Sequence, residues 1–280
     1  MEIRTITTQL MDDYARHLAL DEKSRATQDK YLRDLRCYVA WLDGRTPQKE
    51  TNLDYKQYLR ERYCLTSANS MLAALNSFFR FAGWEELCLR QFRIQKKAYC
   101  PAEMELSRGE YSRLIKAARE KRDCRLELIL QTICSTGIRV SELQFITLEA
   151  VKRGEALVTC KSKTRSVFLV SELCRRLLRY AAKLGIRAGS IFVTRSGRPL
   201  DRSNIWRQMK QLCARCRVDP RKVFPHNLRH LFARTFYAME KDIAKLADIL
   251  GHANINTTRI YMISTGYEHR QRMEKMRLIL

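Results

Sequence analysis

The sequence contains no run of 18 or more apolar residues, although 45% of its 280 residues are hydrophobic. A helix that crosses a membrane needs about 20 consecutive apolar residues, so no membrane span is predicted. The segment that follows Met1 is mixed and polar and lacks the apolar stretch of a secretory signal. We therefore expect a cytoplasmic protein without membrane contact.

Patterns typical of metal sites are also scarce. The ten cysteines are scattered along the chain, and Cys213 and Cys216 form a CxxC pair that no second CxxC accompanies. A structural zinc site needs four ligands, so this spacing favours two thiols on neighbouring turns of a helix. In a reducing compartment, the other cysteines are expected to be small buried residues or free thiols. The sequence predicts no metal and no cofactor.

Positive charge is abundant and unevenly distributed. The formal net charge is +23; residues 1–86 carry 13 basic and 13 acidic side chains, whereas residues 87–280 carry 40 and 17. Such an excess favours a polyanionic partner, because each neutralised phosphate releases counterions. A ribosomal partner, a membrane surface or a merely soluble basic protein would fit the same balance, so charge alone does not select the partner.

Helical periodicity dominates the first part of the chain. Apolar residues recur at helical spacing over 6–19, 26–43, 52–62 and 67–82, and no strand-like alternation precedes residue 150. Residues 87–104 interrupt this pattern. We predict a basic interdomain linker there, which either follows a phosphate backbone or is a solvated connector.

The second part mixes helices with short strands. Ser107 and Glu110 form a capping-box pattern at the start of a helix. Residues 156–160 and 166–170 are β-type runs on either side of a polar turn, which is typical of a hairpin. The remaining predicted elements are helices over 126–134, 171–184 and 202–215 and a third β-type run over 191–194. The sequence therefore predicts a mainly α protein with a small β-sheet.

A candidate phosphate site follows at the start of another helix. Pro225 suits the first helical position, and His226 and Arg229 then share one face at the N-terminus. A helix N-terminus favours anions, and these two side chains add donors for a phosphate. By itself, the HxxR pattern is weak evidence.

A second candidate is Arg139, which follows a Thr-Gly break after the predicted buried helix. Its guanidinium offers a two-pronged donor for a phosphate, and Glu142 is placed to orient it. A surface ion pair between the two residues is the alternative. A single arginine of this kind does not identify a site.

A third candidate is the segment from Leu250 to Tyr261. His252 follows a Leu-Gly turn at the end of a predicted helix, and Tyr261 comes nine residues later on a short helix. The chain has 12 tyrosines, so an individual tyrosine is better explained as a core or surface residue. Its significance depends on the whole set.

Taken together, these segments resemble the tyrosine recombinase family, also called the phage integrase family. The family pattern is an Arg after a Thr-Gly turn, a Lys in a β-hairpin, HxxR, a His after a Leu-Gly turn and a Tyr nine residues beyond. This chain has the corresponding residues in that order: Arg139, Lys161, His226, Arg229, His252 and Tyr261. The hairpin turn is shorter than the usual form, so Lys163 is the alternative to Lys161. The resemblance spans residues 105–265.

The resemblance implies a fold and a domain organisation. It implies an N-terminal SAM-like helical bundle over residues 1–86 that binds the DNA core site, then the linker over 87–104. An α+β catalytic domain follows over 105–280, and its end, residues 266–280, resembles a helix that docks on a neighbouring protomer. Packing of this amphipathic tail on its own domain is the alternative. The two-domain layout resembles the simple Xer-like or Cre-like members of the family.

The resemblance also implies a mechanism. Tyr261 attacks a DNA phosphodiester, which gives a 3′-phosphotyrosyl link and a free 5′-hydroxyl, and strand exchange proceeds through a Holliday junction. The implied roles of the other residues are charge stabilisation by Arg139, Arg229 and His252, support of Arg139 by Glu142, protonation of the leaving oxygen by Lys161 and acceptance of the tyrosine proton by His226. Neither ATP nor a metal is required.

The implied partners are double-stranded DNA with inverted-repeat core sites and a homotetramer in the synaptic complex; accessory proteins are left open. The basic residues expected to contact DNA are Lys30, Arg33, Arg36, Arg90, Arg93, Lys96 and Lys97. Two alternatives share the fold. One is a type IB topoisomerase-like or telomere-resolving enzyme with the same chemistry, and the other is a non-catalytic DNA-binding regulator.

Overall fold

A computed structural model of the chain describes residues 4–94, 104–160, 163–194, 196–198, 200–262 and 273–276. The chain divides into two compact units, Met1–Lys96 and Lys97–Leu280. Within the described ranges, no helix is both long enough and apolar enough to cross a lipid bilayer. Most of the predicted docking helix, residues 266–280, lies outside these ranges.

The first unit consists of four helices around one core. They are α1 (Thr8–Leu20), α2 (Arg25–Leu42), α3 (Lys49–Arg62) and α4 (Leu65–Phe81), followed by a 3₁₀ turn at Glu85–Leu87. The side chain of Ser24 caps α2 by accepting a hydrogen bond from Thr27. The core is aromatic: Tyr38 and Tyr55, both buried, meet edge to face with their ring centroids 4.9 Å apart. The predicted helical bundle is confirmed.

Part of the segment predicted as a linker packs against this first unit. The Asn76 amide exchanges two 2.8 Å hydrogen bonds with the backbone of Leu89, which is buried. The Asn69 amide makes an equivalent pair of hydrogen bonds with the backbone of Phe92. Side-chain amides, rather than an apolar repeat, hold this irregular segment, which is why helical periodicity ends before it.

The second unit combines helices with one hairpin. Its elements are α5 (Arg108–Glu120), α6 (Cys124–Thr136), a 3₁₀ helix (Val140–Phe145), α7 (Leu148–Arg153), β1 (Glu155–Cys160), β2 (Lys163–Phe168), α8 (Ser171–Lys183), α9 (Arg202–Cys216), a 3₁₀ turn (Pro220–Lys222), α10 (Pro225–Glu240), α11 (Ile243–Leu250), α12 (Ile255–Arg259) and a 3₁₀ turn (Ile260–Met262). The capping box of Ser107 and Glu110 is confirmed. The core is mainly aliphatic, with α6 at its centre.

The predicted hairpin is present, but its second strand has other bounds. β1 and β2 are antiparallel and pair Cys160 with Lys163, so β2 begins earlier than the predicted 166–170. Polar residues enter the ladder because its outer face is exposed, and there the hydroxyls of Thr159 and Thr164 lie 3.1 Å apart.

The predicted third β-type run, residues 191–194, is wrong as a strand. The described residues here form no strand; Ser190 pairs with Thr147 in an isolated bridge, and Val193 lies in a further single bridge position. Ile191 and Phe192 are buried. Their apolar side chains anchor a loop to the core, which produces the same sequence signal as a strand.

Candidate active site

Arg229, near the N-terminus of α10, is almost completely buried, with 1% of its surface exposed. Its Nη1 donates to the Gly137 carbonyl (2.5 Å) and its Nη2 to the Leu250 carbonyl (2.7 Å). These carbonyls belong to the Thr-Gly and Leu-Gly turns, so one guanidinium joins three of the predicted segments. Burial, followed by the charge of Arg139, lowers the pKa of Arg229, but a guanidinium stays charged in proteins.

The Nε–H of Arg229 is also buried, and it has no hydrogen-bond partner among the described residues. Buried donors in folded proteins are nearly always paired with protein, water or ligand. Arg229 therefore combines a fixed positive charge with an unused donor, which is what binding of a phosphate oxygen requires.

Arg139 supplies a second guanidinium and directly precedes the 3₁₀ helix Val140–Phe145. Its side chain is 37% exposed, and both its Nη1 and its backbone N–H donate to the buried Glu142 carboxylate at 2.9 Å. Glu142 thus holds Arg139 at two points while leaving part of the guanidinium accessible. The expected orienting contact is present, and the carboxylate is buried instead of forming a surface ion pair.

Two glycines permit the close packing of these turns. Gly137 ends α6 with φ +66°, and a Cβ there would lie 2.5 Å from a ring carbon of Phe232. Gly251 ends α11 with φ +65°, and a Cβ there would lie 2.4 Å from Cδ of Arg165. A left-handed backbone and the lack of space both require glycine at these positions.

His252 follows Gly251 and has a definite tautomer. Its Nε2 lies 2.9 Å from Nη2 of Arg229, and its Nδ1 lies 2.8 Å from Oγ1 of Thr258. An arginine only donates, so Nε2 accepts and the proton is on Nδ1. Burial and the positive charges of Arg229, Arg139 and Arg165 lower the pKa of His252 to about 4. His252 is therefore neutral at physiological pH in this arrangement.

Tyr261 lies in the 3₁₀ turn after α12 and is buried, with 4% exposed. Its ring stacks on His252, with centroids 5.6 Å apart and planes at 12°. It meets His230 edge to face at 4.3 Å and lies 5.8 Å from the ring of His226. The nearby Tyr261 side chain opposes the lowering of the Arg229 pKa. The tyrosine is held among the histidines and Arg229 of its own chain.

His226 lies at the exposed end of this pocket, one helical turn from His230, with ring centroids 4.7 Å apart. Its pKa is lowered by desolvation and by the charges of Arg229, Arg139 and Arg202. An unprotonated imidazole near the tyrosine is suited to accept a proton.

Two residues of the pocket were not among the predicted site residues. His230 contacts the Tyr261 ring, and its burial, together with the nearby His226, lowers its pKa to about 4. Arg165, on β2, binds the second oxygen of Glu142 at 2.8 Å. The alternation of the hairpin contains the signal for Arg165, because the same face carries Val158 and Val167, both buried. For His230, the signal is its spacing of four residues from His226, which places both on one face of the helix.

The remaining predicted residues belong to the hairpin turn, the first unit and the segment that follows it. Lys161 lies outside the described residues, and so does the side chain of Lys163. In the first unit, Asp34 forms ion pairs with Lys30 (2.5 Å) and Arg33 (3.1 Å), whereas Arg36 is exposed. Arg90 and Arg93 are exposed as well, and Lys96 and Lys97 lie outside the described ranges.

The CxxC pair lies within the core of the second unit. Cys213 and Cys216 are buried in α9, and their thiols donate to the carbonyls of Met209 and Cys213. Throughout the described part of the chain, no three side chains of the metal-ligating types come together as a possible metal site.

Two family models match the chain. The model described as "Phage integrase family" matches residues 105–266, and that of the "Phage integrase, N-terminal SAM-like domain" matches residues 11–86. Among curated proteins, tyrosine recombinase XerA of Pyrococcus furiosus is 27% identical over 100% of this chain and 98% of its own length. Tyrosine recombinase XerD of Halalkalibacterium halodurans is 30% identical over 85% of this chain and 87% of its own length.

The fold is also that of solved recombinases. A crystal structure of a lambda integrase tetramer bound to a Holliday junction matches with a TM-score of 0.70. The match covers 90% of this chain and 76% of that one at 19% identity. At this identity, the likeness concerns the fold.

Proposed function

The chain belongs to the phage integrase family, and we propose that Tyr261 is the nucleophile with which it cleaves DNA strands. It is a tyrosine-type site-specific recombinase, an enzyme that breaks and rejoins DNA. The stacking of Tyr261 on His252, whose Nε2 accepts a hydrogen bond from Arg229, carries the proposal. In this position, the attacking oxygen and the groups that would hold the phosphate belong to one pocket.

Cleavage begins when Oη of Tyr261 attacks the phosphorus of a phosphodiester. The bond from phosphorus to the 5′ oxygen breaks, and the 3′ end of the strand becomes linked to the tyrosine. His226 accepts the tyrosine proton, since its lowered pKa leaves it unprotonated at neutral pH. Lys161 gives a proton to the leaving 5′ oxygen, with Lys163 as the alternative.

The five-coordinate transition state gathers negative charge, which Arg139 and Arg229 offset. The two guanidiniums are preorganised because Glu142 and two backbone carbonyls hold them before DNA binds. A bound phosphate competes with His252 for the Arg229 donor and adds negative charge nearby. The pKa of His252 then rises, and its protonated form becomes a further donor to the phosphate.

Rejoining reverses these steps. The 5′-hydroxyl of a partner strand attacks the phosphotyrosyl phosphorus and frees Tyr261, and a reciprocal pair of such exchanges joins two duplexes in a Holliday junction. The covalent link keeps the energy of the broken bond, so ATP is not needed, and Arg139 and Arg229 offset the charge at the phosphate without a metal ion. The fold that this chain shares with lambda integrase, which forms a tetramer on such a junction, supports four protomers on two inverted-repeat sites, with residues 266–280 docking on a neighbour.

We further propose that residues 1–86, the linker over 87–104 and the catalytic domain over 105–280 divide the work as the resemblance implies, with the first unit contacting duplex DNA. Asp34 partly neutralises Lys30 and Arg33. Arg36, Arg90 and Arg93 are therefore the stronger candidates for phosphate contacts, and Lys96 and Lys97 follow in the linker. The cytoplasmic location stays a prediction.

The test is covalent capture of a cleaved strand. A duplex that the protein itself selects from a random library is nicked beside the cleavage position, so that the released fragment diffuses away and the complex accumulates. We expect a protein–DNA band on a denaturing gel that Tyr261→Phe abolishes. Tyr180→Phe is the matched control, because Tyr180 lies on α8 in the same unit and packs on the aliphatic core.

Two results would contradict the proposal. A gel shift without any covalent band would favour a non-catalytic DNA-binding regulator. A covalent band that persists in Tyr261→Phe would assign the nucleophile to another residue.

A further inference from the structure

Arg165 is a charged side chain on the buried face of the hairpin. It pairs in register with Val158, and the side chains of Val158 and Val167 on this face are buried. Only 14% of the Arg165 side chain is exposed. A charge on an apolar face is costly unless it is paired, and the cleavage steps described above do not use it.

The first contact of Arg165 leads to Arg139. Nη2 of Arg165 binds Oε2 of Glu142 at 2.8 Å, while Oε1 of the same carboxylate binds Nη1 of Arg139 at 2.9 Å. Glu142 is therefore held between two guanidiniums. Displacement of Arg165 frees one side of this carboxylate, and the position of Arg139 then depends on a less constrained partner.

The second contact leads to His252. The aliphatic stem of Arg165 lies against the backbone of Gly251, where a Cβ would approach its Cδ to 2.4 Å. Gly251 ends α11 immediately before His252. One side chain therefore bridges the hairpin, the carboxylate that orients Arg139 and the turn that carries His252.

We propose that Arg165 is a positioning residue for DNA cleavage, which holds Arg139 and His252 in one fixed arrangement through Glu142 and Gly251. The proposal rests on the proposed function of this pocket. Arg165 acts through other residues and does not itself donate to the phosphate. Small displacements of preorganised groups reduce rates strongly, so its loss slows the chemical step more than it weakens DNA binding.

The test is single-turnover cleavage of the selected, nicked duplex at saturating protein. We expect Arg165→Gln to lower the rate roughly 10- to 100-fold, with DNA affinity near that of the wild type. Arg165→Lys should recover part of the rate, because its ammonium keeps one contact with Glu142. An unchanged rate in Arg165→Gln would overturn the proposal.

Arg176→Gln is the matched control for loss of a partly buried ion pair. Arg176, on α8, binds Glu127 at 2.6 Å, and neither residue is among those of the pocket described above. We expect this variant to lose stability while its cleavage rate per folded molecule stays unchanged. If both variants lost the same rate, destabilisation alone would explain the effect of Arg165→Gln, and the proposal would be contradicted.

A second substrate identifies the step that is affected. A 5′-bridging phosphorothiolate leaves as a thiolate and needs little protonation. We expect the defect of Arg165→Gln to persist on this substrate, because Arg139 and His252 act on the phosphate and not on the leaving atom. Full recovery of the rate would overturn the proposed route through Arg139 and His252.

A readout without catalysis separates this proposal from the proposed function. If the wild type forms no covalent link, the proposed function fails, while NMR titration of the His252 imidazole still tests Arg165. Because Arg165 contributes positive charge beside His252, Arg165→Gln should raise the pKa of His252, and Arg176→Gln should leave it unchanged. An unchanged His252 titration in Arg165→Gln would contradict the positioning role.

Discussion

The core of the first unit and the pocket around Tyr261 both bury tyrosine, with different surroundings. In the first unit, other aromatic rings enclose Tyr14, Tyr38 and Tyr55, and burial raises the pKa of each, to about 12 for Tyr14. Tyr261 is similarly buried, but its neighbours are three imidazoles and a guanidinium. The chemistry of the neighbours, and not burial, distinguishes the proposed nucleophile from the core tyrosines.

Removing one hydroxyl from each region tests this difference most strongly. Tyr261→Phe should abolish the covalent link and leave the free energy of unfolding close to that of the wild type. Tyr38→Phe removes a buried hydrogen bond to Asn52 and should lower the free energy of unfolding by about 1–2 kcal/mol without affecting the link. Denaturing gels and urea titrations measure the two effects. If Tyr38→Phe, tested with all of the DNA bound, also lost the covalent link, the proposed difference between the two tyrosines would be wrong.

The next largest effect is expected from replacing one arginine in each unit. Arg229 and Arg45 each donate to two backbone carbonyls, but Arg229 is buried and Arg45 is exposed. Arg229→Gln should slow cleavage by about 10²–10³-fold and also destabilise the second unit, because buried carbonyls lose their donor. Arg45→Gln should change neither property measurably. Equal destabilisation by both variants would show that burial of Arg229 adds nothing to its structural role.

One glycine from each unit can be compared by the space around it. Gly137 and Gly83 both have positive φ, yet a Cβ would strike Phe232 at Gly137 and meets nothing within 4 Å at Gly83. Gly137→Ala should cost about 2–4 kcal/mol of unfolding free energy, from backbone strain plus overpacking. Gly83→Ala should cost only the strain, about 1–2 kcal/mol. Chemical denaturation of both variants checks the difference, which equal losses would refute.

Acid should act on the second unit first. The pKa values of His230 and His252 are lowered to about 4, below the usual 6.5 of the unfolded chain. Below pH 6.5, unfolding therefore takes up protons. The two neutral histidines make their full contribution to stability above pH 6.5, and this contribution is lost as the pH falls toward 4.

Hydrogen exchange across this pH range should show the second unit opening before the first. His230→Gln should reduce the proton uptake on unfolding by about one. Simultaneous opening of both units in the wild type would contradict this assignment of the sensitivity to the second unit.

The smallest effect concerns DNA contacts in the first unit. Arg36 is exposed, whereas Lys30 is paired with Asp34 and also donates to the Ser70 carbonyl. Arg36→Ala should weaken binding to the selected duplex several-fold and reduce its salt slope by about one. Lys30→Ala should have less effect. Fluorescence anisotropy at several salt concentrations measures both, and a larger loss for Lys30→Ala would reverse the assignment.

Local patterns predicted the helices well, because apolar spacing and caps are properties of neighbouring residues. The capping box of Ser107 and the helical start at Pro225 are examples. Residues 191–194 and the ordered segment near Leu89 were predicted less well, since their conformation depends on contacts with distant residues such as Asn76. The same limit applies to His230, whose contact with Tyr261 spans 31 positions.

The order and spacing of Arg139, His226, Arg229, His252 and Tyr261 are determined by the sequence alone, as are the glycines that their turns require. The tautomer of His252, the neutral state of the histidines and the contacts of Arg165 are decided by the tertiary structure. The physical reason is that a pKa and a hydrogen-bond partner depend on burial and on charges brought together from separate segments. Neither quantity is a property of the residue or of its neighbours in the chain.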